Sequence, residues 1–211
     1  MSSVIRSVKQ ELTARETPDF KMDNCIIERL GKYNNTRRKN KMKIAILNGS
    51  PRAKNTAAMI NAFAEGAKEA GHEVEILHVG KMNIGGCKAC EYCHGKGAGT
   101  CIQKDDMEKV IPAYKEADMI VFASPVYYFG VSAQLAAAIQ RVYAIGKPAK
   151  ATKAALLLSS GSPNVYDSAI AMYKNMIAYM GIEDQGIFTA AGEENGSDAI
   201  LAEIRACARA L

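Results

Sequence analysis

The feature that most constrains this chain is an apolar run that halts at a short polar turn. Ile44, Ala45, Ile46 and Leu47 lead into Asn48-Gly49-Ser50-Pro51, and an amphipathic pattern begins near Asn55. That order reads as a buried strand, a tight turn and a helix N-terminus. The first turn of a helix leaves several backbone N–H groups without intrahelical partners, and the aligned peptide dipoles add partial positive charge there. Ser50, Asn55 and Thr56 supply small polar groups beside those N–H groups, and Arg52 supplies a forked cation. Together they form a seat for a phosphate. The plainer alternative is that Ser50 and Asn55 only cap the helix and Arg52 is solvated. Two familiar phosphate loops are excluded. A Walker loop needs a second glycine followed by Lys-Ser/Thr, and Lys54-Asn55-Thr56 lacks it; the dinucleotide fingerprint needs glycine two residues after Gly49, where Pro51 stands.

Charge divides the chain at the same place. Residues 1–41 hold 10 of the 27 Lys and Arg and 5 of the 22 Asp and Glu, so the remainder carries 17 of each sign. The net charge of +5 therefore belongs to a basic N-terminal extension, and 42–211 is expected to be the folded domain. Within the extension Val4, Val8 and Leu12 would share one face of a short helix, and Ile26, Ile27 and Leu30 could form a second. The expectation is a solvated arm; the sharper alternative is an arm packed on a partner subunit. A neutral domain argues against a nucleic-acid surface, which needs basic residues clustered on a folded face. No window approaches the ~20 apolar residues that span a bilayer, and the first residues lack the apolar core of a secretory signal. The expected protein is soluble and cytoplasmic, with no membrane and no nucleic-acid partner.

From Met42 the pattern alternates. Strands are expected at 44–47, 73–79, 119–123, 154–158 and 186–190. Helices are expected at 56–70, from Asp105 or Asp106 to 117, and at 132–145, 167–181 and 198–211. Apolar strands separated by helices call for a doubly wound parallel sheet covered on both faces, and right-handed connections make 2-1-3-4-5 the natural strand order. Ligands in such sheets bind beyond the carboxyl ends of the strands. Three loops converge there. The first is Gly49 to Thr56, polar. The second is Ser124-Pro125-Val126-Tyr127-Tyr128-Phe129-Gly130, aromatic behind a stiff proline and suited to a flat ring that stacks. The third is Ser159-Ser160-Gly161-Ser162-Pro163, small and hydroxylated, with Gly161 permitting close backbone approach. Phosphate at one end and a planar ring at the other describe flavin mononucleotide (FMN), although Tyr128 and Phe129 would serve equally in a core or a subunit interface.

These motifs carry a resemblance. GSPR followed by NT after the first strand, SPVYYFGVSAQL after the third and CxxCxxC with a later CxxxDDM resemble the NAD(P)H-dependent FMN reductases, on the branch that includes the iron–sulfur flavoproteins. The resemblance implies a flavodoxin-like fold, bound FMN and a homodimer or homotetramer. By position, Ser50, Arg52, Asn55 and Thr56 would hold the phosphate. Pro125, Val126, Tyr127 and Tyr128 would line the isoalloxazine, and Ser160 with Gly161 would close over it. NAD(P)H would be the electron donor, with the chemistry on the flavin rather than on a catalytic side chain, and the acceptor would be a small molecule or a protein. The chain departs from the family in two places. Members often carry one more residue between the arginine and the Asn-Thr pair, and the extension before Met42 has no counterpart.

Cys87, Cys90, Cys93 and Cys101 give C-x2-C-x2-C-x7-C, and Gly95, Gly97 and Gly99 let the chain return toward the first three. Three thiolates at that spacing can reach one cluster, as in ferredoxin runs. Zinc pairs usually sit farther apart. The iron–sulfur flavoproteins hold a [4Fe–4S] cluster on a compact motif of this kind; the alternative is a glycine-rich cap whose cysteines stay as thiols. His94 reads as a surface histidine, and Cys25 and Cys207 as structural. Three functions remain to be separated: an FMN-dependent oxidoreductase fed by NAD(P)H, an electron carrier with FMN and a [4Fe–4S] cluster, and a non-catalytic scaffold that binds an acidic partner through its basic arm.

Overall fold

A computed structural model describes residues 41–211; the extension read as an arm lies, apart from Lys41, outside the described residues, as does Cys25. The elements run β1 (Lys43–Asn48), α1 (Asn55–Glu69), β2 (Glu73–Leu77), α2 (Met107–Glu116), β3 (Met119–Tyr127), β4 (Gly130–Val131), α3 (Ala133–Arg141), β5 (Lys153–Ser160), α4 (Asp167–Met180), β6 (Glu183–Ala191) and α5 (Asp198–Ala210). The sheet order is β2-β1-β3-β5-β6, with every pairing in that series parallel. This is the expected flavodoxin-like order 2-1-3-4-5 of the long strands. β4 is an addition, pairing antiparallel with the end of β3.

Two apolar layers explain the order. The central strands are buried on both sides, so alternate residues face opposite layers. Ile44, Ile46, Met119, Val121 and Leu157 meet Met59, Phe63 and Ala67 of α1 and Ile204 and Ala208 of α5. Ala45, Leu47, Ile120, Phe122 and Leu156 meet Val110 and Tyr114 of α2, Leu135 of α3, and Tyr173 and Ile177 of α4. Each large side chain so buried contributes about 1.5–3 kcal/mol, enough to fix which face each residue takes. α1 lies directly against α5 at Gly66, where an added Cβ would stand 2.2 Å from the Arg205 carbonyl oxygen. Arg205 also pairs with Glu65 and Glu69, which ties the two helices along their exposed edge.

Several boundaries differ from the sequence reading, among them the second strand, which ends at Leu77 rather than residue 79, and three more have a clear physical reason. β3 runs on to Tyr127, through Pro125 and past its expected end at residue 123. The Ala123 carbonyl accepts from Gly49 N–H at 2.8 Å, so Pro125, two residues further, faces the same side. β1 has already turned away there, and the missing proline N–H costs no ladder bond. β6 begins at Glu183 rather than Gly186, because its first residues are polar at the sheet edge. An irregularity in its pairing with β5 falls between Ala154 and Leu156, and Gly186 supplies the positive φ of 148° on the opposite strand. The helix expected to reach residue 145 ends as α3 at Arg141 and continues as a tighter turn, Val142–Ile145. Among the described residues no helix is long and apolar enough to cross a membrane.

Candidate functional site

The carboxyl ends of β1, β3, β5 and β6 border a cleft of ≈270 Å³ lined by Ser50, Arg52, Lys54, Asn55, Thr56, Pro125, Val126, Tyr127, Ser159, Ser160, Gly161, Gly192 and Asn195. Nine of the ten residues singled out as cofactor-binding stand on this one hollow. The tenth, Tyr128, is 98% exposed and lies outside it. Lys54, Ser159, Gly192 and Asn195 were not singled out. Lys54 sits inside the polar run between Arg52 and Asn55, where sequence alone does not mark it. Asn195 had no sequence signal, because only the sheet brings it beside Ser160.

The first loop is held from beneath. Ser50 N–H donates to Asn48 Oδ1 at 2.9 Å, Ser50 Oγ donates to the Arg52 carbonyl at 2.9 Å, and Arg52 N–H donates back to Ser50 Oγ at 3.2 Å. Ser132 Oγ donates to the Gly49 carbonyl at 2.8 Å while capping α3 through Leu135 N–H. Gly80 packs so closely that a Cβ there would lie 2.5 Å from the Ser50 backbone. Thr56 and Ser159 share a buried hydroxyl–hydroxyl bond of 2.7 Å, which joins the first loop to the third. The hydroxyls of Ser50 and Thr56 are thus occupied in shaping the turn. What remains to meet a ligand is the exposed pair Arg52 and Lys54, the Asn55 amide and the opening N–H groups of α1. That helix has no side-chain cap and no acidic residue in its first turn. A cationic, donor-rich helix start of this kind attracts an anion.

The third loop is braced in the same manner. Ser160 Oγ lies 2.6 Å from both the Ser162 carbonyl and the Tyr166 hydroxyl, and Tyr166 donates to the Ala190 carbonyl at 2.8 Å. Burial pushes the Tyr166 phenol up, against the smaller opposing effect of Ser160. Ser160 therefore shapes the wall, and its own hydroxyl is already engaged.

The second wall is Pro125, Val126 and Tyr127. Beyond it the chain reverses between β3 and β4, with Tyr127 opposite Gly130. The two residues of the reversal, Tyr128 and Phe129, have φ of 51° and 68°. A two-residue hairpin needs that left-handed backbone, which glycine or asparagine normally supplies. Two aromatic residues take it here at a cost of about 1–2 kcal/mol each. Their rings meet edge to face at 6.0 Å, and Tyr127 and Phe129 are 44% and 54% exposed.

The cysteine loop is a separate region. Cys87 and Cys90 are exposed, Cys101 is half-buried and Cys93 is buried, its thiol pushed up by burial. Among the described residues no group of three or more His, Cys, Asp or Glu is arranged to hold a metal ion. The loop is clamped at both ends by Arg141, whose guanidinium donates to Gly85 O at 2.9 Å and to Asp105 Oδ2 at 2.6 Å, with Asp105 Oδ1 at 3.2 Å and Gln103 O at 3.4 Å. Burial acts to raise the Asp105 pKa, but Arg141 and the N–H groups of Gly85 and Met107 outweigh it and hold the carboxyl below its usual value. Midway, Tyr143 donates to Glu91 at 3.0 Å, and His94 Nε2 sits 3.0 Å from the Tyr143 carbonyl. His94 is thus a structural contact of the loop.

The fold and the cleft define a doubly wound α/β protein of the flavodoxin-like class, with a cationic cleft beside its first strand–helix turn. Residues 42–193 match the family described as NADPH-dependent FMN reductase, and the chain belongs to that family. An iron–sulfur flavoprotein of Archaeoglobus fulgidus is 42% identical over 91 residues, covering 43% of this chain and 44% of that protein. The chain spans about half the length of the curated relatives it matches. Among solved structures, an NAD(P)H:quinone oxidoreductase from Methanothermobacter marburgensis superposes with a TM-score of 0.61 at 22% identity, over 80% of this chain and 93% of that one. An azoreductase from Bacillus anthracis does so with a TM-score of 0.64 at 18% identity, over 81% of this chain and all (100%) of that one. At those identities the two structures speak for the fold.

Proposed function

We propose that the cleft binds FMN and that the protein is an oxidoreductase passing electrons from NAD(P)H through that flavin to a small-molecule or protein acceptor. The observation that carries the reading is the convergence of Arg52, Asn55 and Thr56, Pro125 to Tyr127, and Ser160 with Gly161 on one hollow. FMN, when bound, supplies the hydride-accepting and electron-passing chemistry. Arg52, Lys54 and the first N–H groups of α1 neutralise its phosphate. Ser50, the Thr56–Ser159 bond and the Ser160–Tyr166 pair keep the walls in place before the ligand arrives, so little ordering cost falls on binding. Pro125, Val126 and Tyr127 offer a flat, partly apolar wall to a ring. Residues 42–211 form the FMN-binding domain in this reading, and 1–41 an appended arm. The exposed Tyr127, Tyr128 and Phe129 support an assembly of two or four copies, and the reading takes the protein to be cytoplasmic. The test is direct: the protein should bind FMN stoichiometrically, and NADH or NADPH should bleach it under anaerobic conditions. A chain that cannot be loaded with FMN overturns the reading, and FMN-loaded protein inert to both nicotinamides removes the donor.

A second reading is favoured by one observation, the four cysteines gathered on a single clamped loop. There Ala89 N–H already donates to Cys87 Sγ at 3.4 Å. In this reading Cys87, Cys90, Cys93 and Cys101 ligate a [4Fe–4S] cluster. The donor set suits such a cluster; the arrangement described does not gather the thiols, so the loop would have to close around it. Anaerobic purification should then give close to four irons per chain, abolished by Cys90→Ser, and iron-free protein under those conditions rejects it. The scaffold reading predicts no bound flavin and loss of an acidic partner on deleting the arm.

A further inference from the structure

His78 stands outside the cleft, yet it is hydrogen-bonded to the residue that holds the first turn from beneath. Asn48, the last residue of β1, is 3% exposed and spans two partners. Its Oδ1 accepts from Ser50 N–H at 2.9 Å, and its Nδ2 lies 3.1 Å from His78 Nδ1. A backbone N–H can only donate, so the amide oxygen must face Ser50 and the NH2 must face the imidazole. His78 Nδ1 is therefore the acceptor, and the ring is the neutral form with its hydrogen on Nε2. The segment that carries the ring packs against the turn: Val79 is buried, and a Cβ on Gly80 would lie 2.5 Å from the Ser50 backbone. The residue itself is exposed, so solvent protons reach it. The charged side chains on the elements around it are Glu73 and Glu75 on β2, Lys81 beside it, Lys43 on β1, Arg52 and Lys54 on the turn, and Arg141 on α3. Among the described residues none of these is hydrogen-bonded or ion-paired with the imidazole, whose side-chain partner is Asn48.

We propose that His78 is a positioning residue which, through Asn48, makes ligand binding at the first turn depend on pH. The inference rests on the FMN reading in taking that turn as the phosphate seat. Imidazole changes its charge between about pH 5 and 8. A proton on Nδ1 converts the acceptor into a donor facing the Asn48 NH2, and the bond is lost. Turning Asn48 over would restore it, but would set the NH2 against Ser50 N–H. Either way a buried amide loses one of its two partners, which is unfavourable in the interior. The protonated chain then relaxes the turn and holds the ligand less well. By reciprocity, a ligand that binds the ordered turn drives the proton off. The charge of the imidazolium alone would act the other way, since a cation near the turn draws a phosphate. The sign of the pH dependence thus separates positioning from simple attraction.

The experiment titrates the full chain with FMN between about pH 8 and about pH 5, with flavin fluorescence reading the affinity, beside His78→Asn and His78→Leu. Asparagine keeps an acceptor near the Nδ1 position and takes up no proton; leucine removes the acceptor at every pH. The FMN phosphate also titrates in this range, with a second pKa of about 6. It does so equally for all three chains, so affinities are compared as ratios at each pH. At the alkaline end the natural chain should match His78→Asn within about twofold, and at the acid end it should bind about fivefold more weakly. His78→Leu should be weaker than His78→Asn by about that factor throughout. A constant ratio between the natural chain and His78→Asn, or a natural chain that gains on it with acid, overturns the inference and leaves the FMN reading intact. Nitrogen NMR of the ligand-free chain gives a second readout. At the alkaline end the His78 ring should show an unprotonated Nδ1, and the Ser50 amide signal should follow the imidazole titration in the natural chain but stay still in His78→Asn. An Nδ1–H tautomer or an unmoved Ser50 amide also overturns the inference. A chain that takes up no FMN overturns the FMN reading alone, and the nitrogen signals then decide the role of His78.

Discussion

The turn after β1 and the loop between residues 85 and 105 both carry suggestive residues, but the fold handles them in opposite ways. In the first, the hydroxyls and the backbone from Gly49 to Arg52 are largely committed, and the N–H groups that open α1 are left free. Asn48, Ser50, Ser132 and the Thr56–Ser159 bond hold the turn, Gly80 supports it from below, and the residues free to meet a ligand face one hollow. In the second, Arg141 and Tyr143 hold the ends and the middle and backbone turns hold residues 91–100, yet the thiols are left unassembled. Ala89, Glu91 and Ala98 take left-handed backbone there at φ of 49°, 56° and 43°. Preorganisation in one place and a ligand set awaiting assembly in the other imply that the two regions should fail separately.

The largest effect is expected at Arg141. Its side chain is 1% exposed and its partner Asp105 10%. Removing one member of a buried pair costs about 3–5 kcal/mol, which for a chain of this size lowers Tm by about 10 °C or more. Arg141→Met should therefore melt early and exchange amide hydrogens quickly over 85–105, while FMN affinity stays within about threefold because no cleft residue is touched. Equal loss of FMN would show that the two regions are one unit. The pair also sets a pH limit. Asp105 is held below its unfolded value, so its contribution is complete above about pH 4. It is lost as pH falls through the lower folded value. Asp105→Asn should flatten that acid limb in a series of melting curves.

Next comes Gly80→Ala. The new Cβ meets the Ser50 backbone at 2.5 Å, and backbone cannot rotate aside as a side chain can. Overpacking of this kind costs about 1–3 kcal/mol. Here the strain falls on the loop proposed to seat the phosphate, so FMN affinity should drop by tenfold or more while hydrogen exchange over 85–105 is unchanged. Arg52→Ala is milder. A charged hydrogen bond at an exposed site is worth about 1–1.5 kcal/mol, so FMN should bind about tenfold more weakly and riboflavin, lacking the phosphate, as before. An equal loss for riboflavin would place Arg52 somewhere other than the phosphate.

The same contrast explains what could be read from the sequence. The five long strands were legible because apolar runs such as Leu156 to Leu158 leave no other burial pattern, and the order followed from handedness. The cleft was legible where local chemistry and topology coincide, from Ser50 to Thr56 and from Pro125 to Tyr127. The roles of Ser50, Thr56 and Ser160 were not, since a hydroxyl bound to the chain and one offered to a ligand look alike in sequence. Tyr128 and Phe129 read as part of a loop because nothing in a Tyr-Tyr-Phe run announces a tight hairpin with positive φ. Lys54 was hidden by its neighbours. Asn195 was hidden by distance, being placed beside Ser160 only through the pairing of β5 with β6.

The smallest effect tests the join between the first and third loops. Thr56→Val keeps the shape of the side chain and removes the hydroxyl, leaving Ser159 Oγ buried without its partner at 2.7 Å. The expected cost is about 1 kcal/mol in stability. Ser159→Ala alone should cost a similar amount, by leaving Thr56 unpaired. The double variant should cost less than the two together, because an absent pair exposes no orphan. If the bond also preorganises the cleft, FMN affinity follows the same non-additive pattern, falling a few fold in each single variant and partly recovering in the double one. Purely additive losses in affinity, beside a non-additive stability cycle, would mean that the bond holds the fold together without shaping the site.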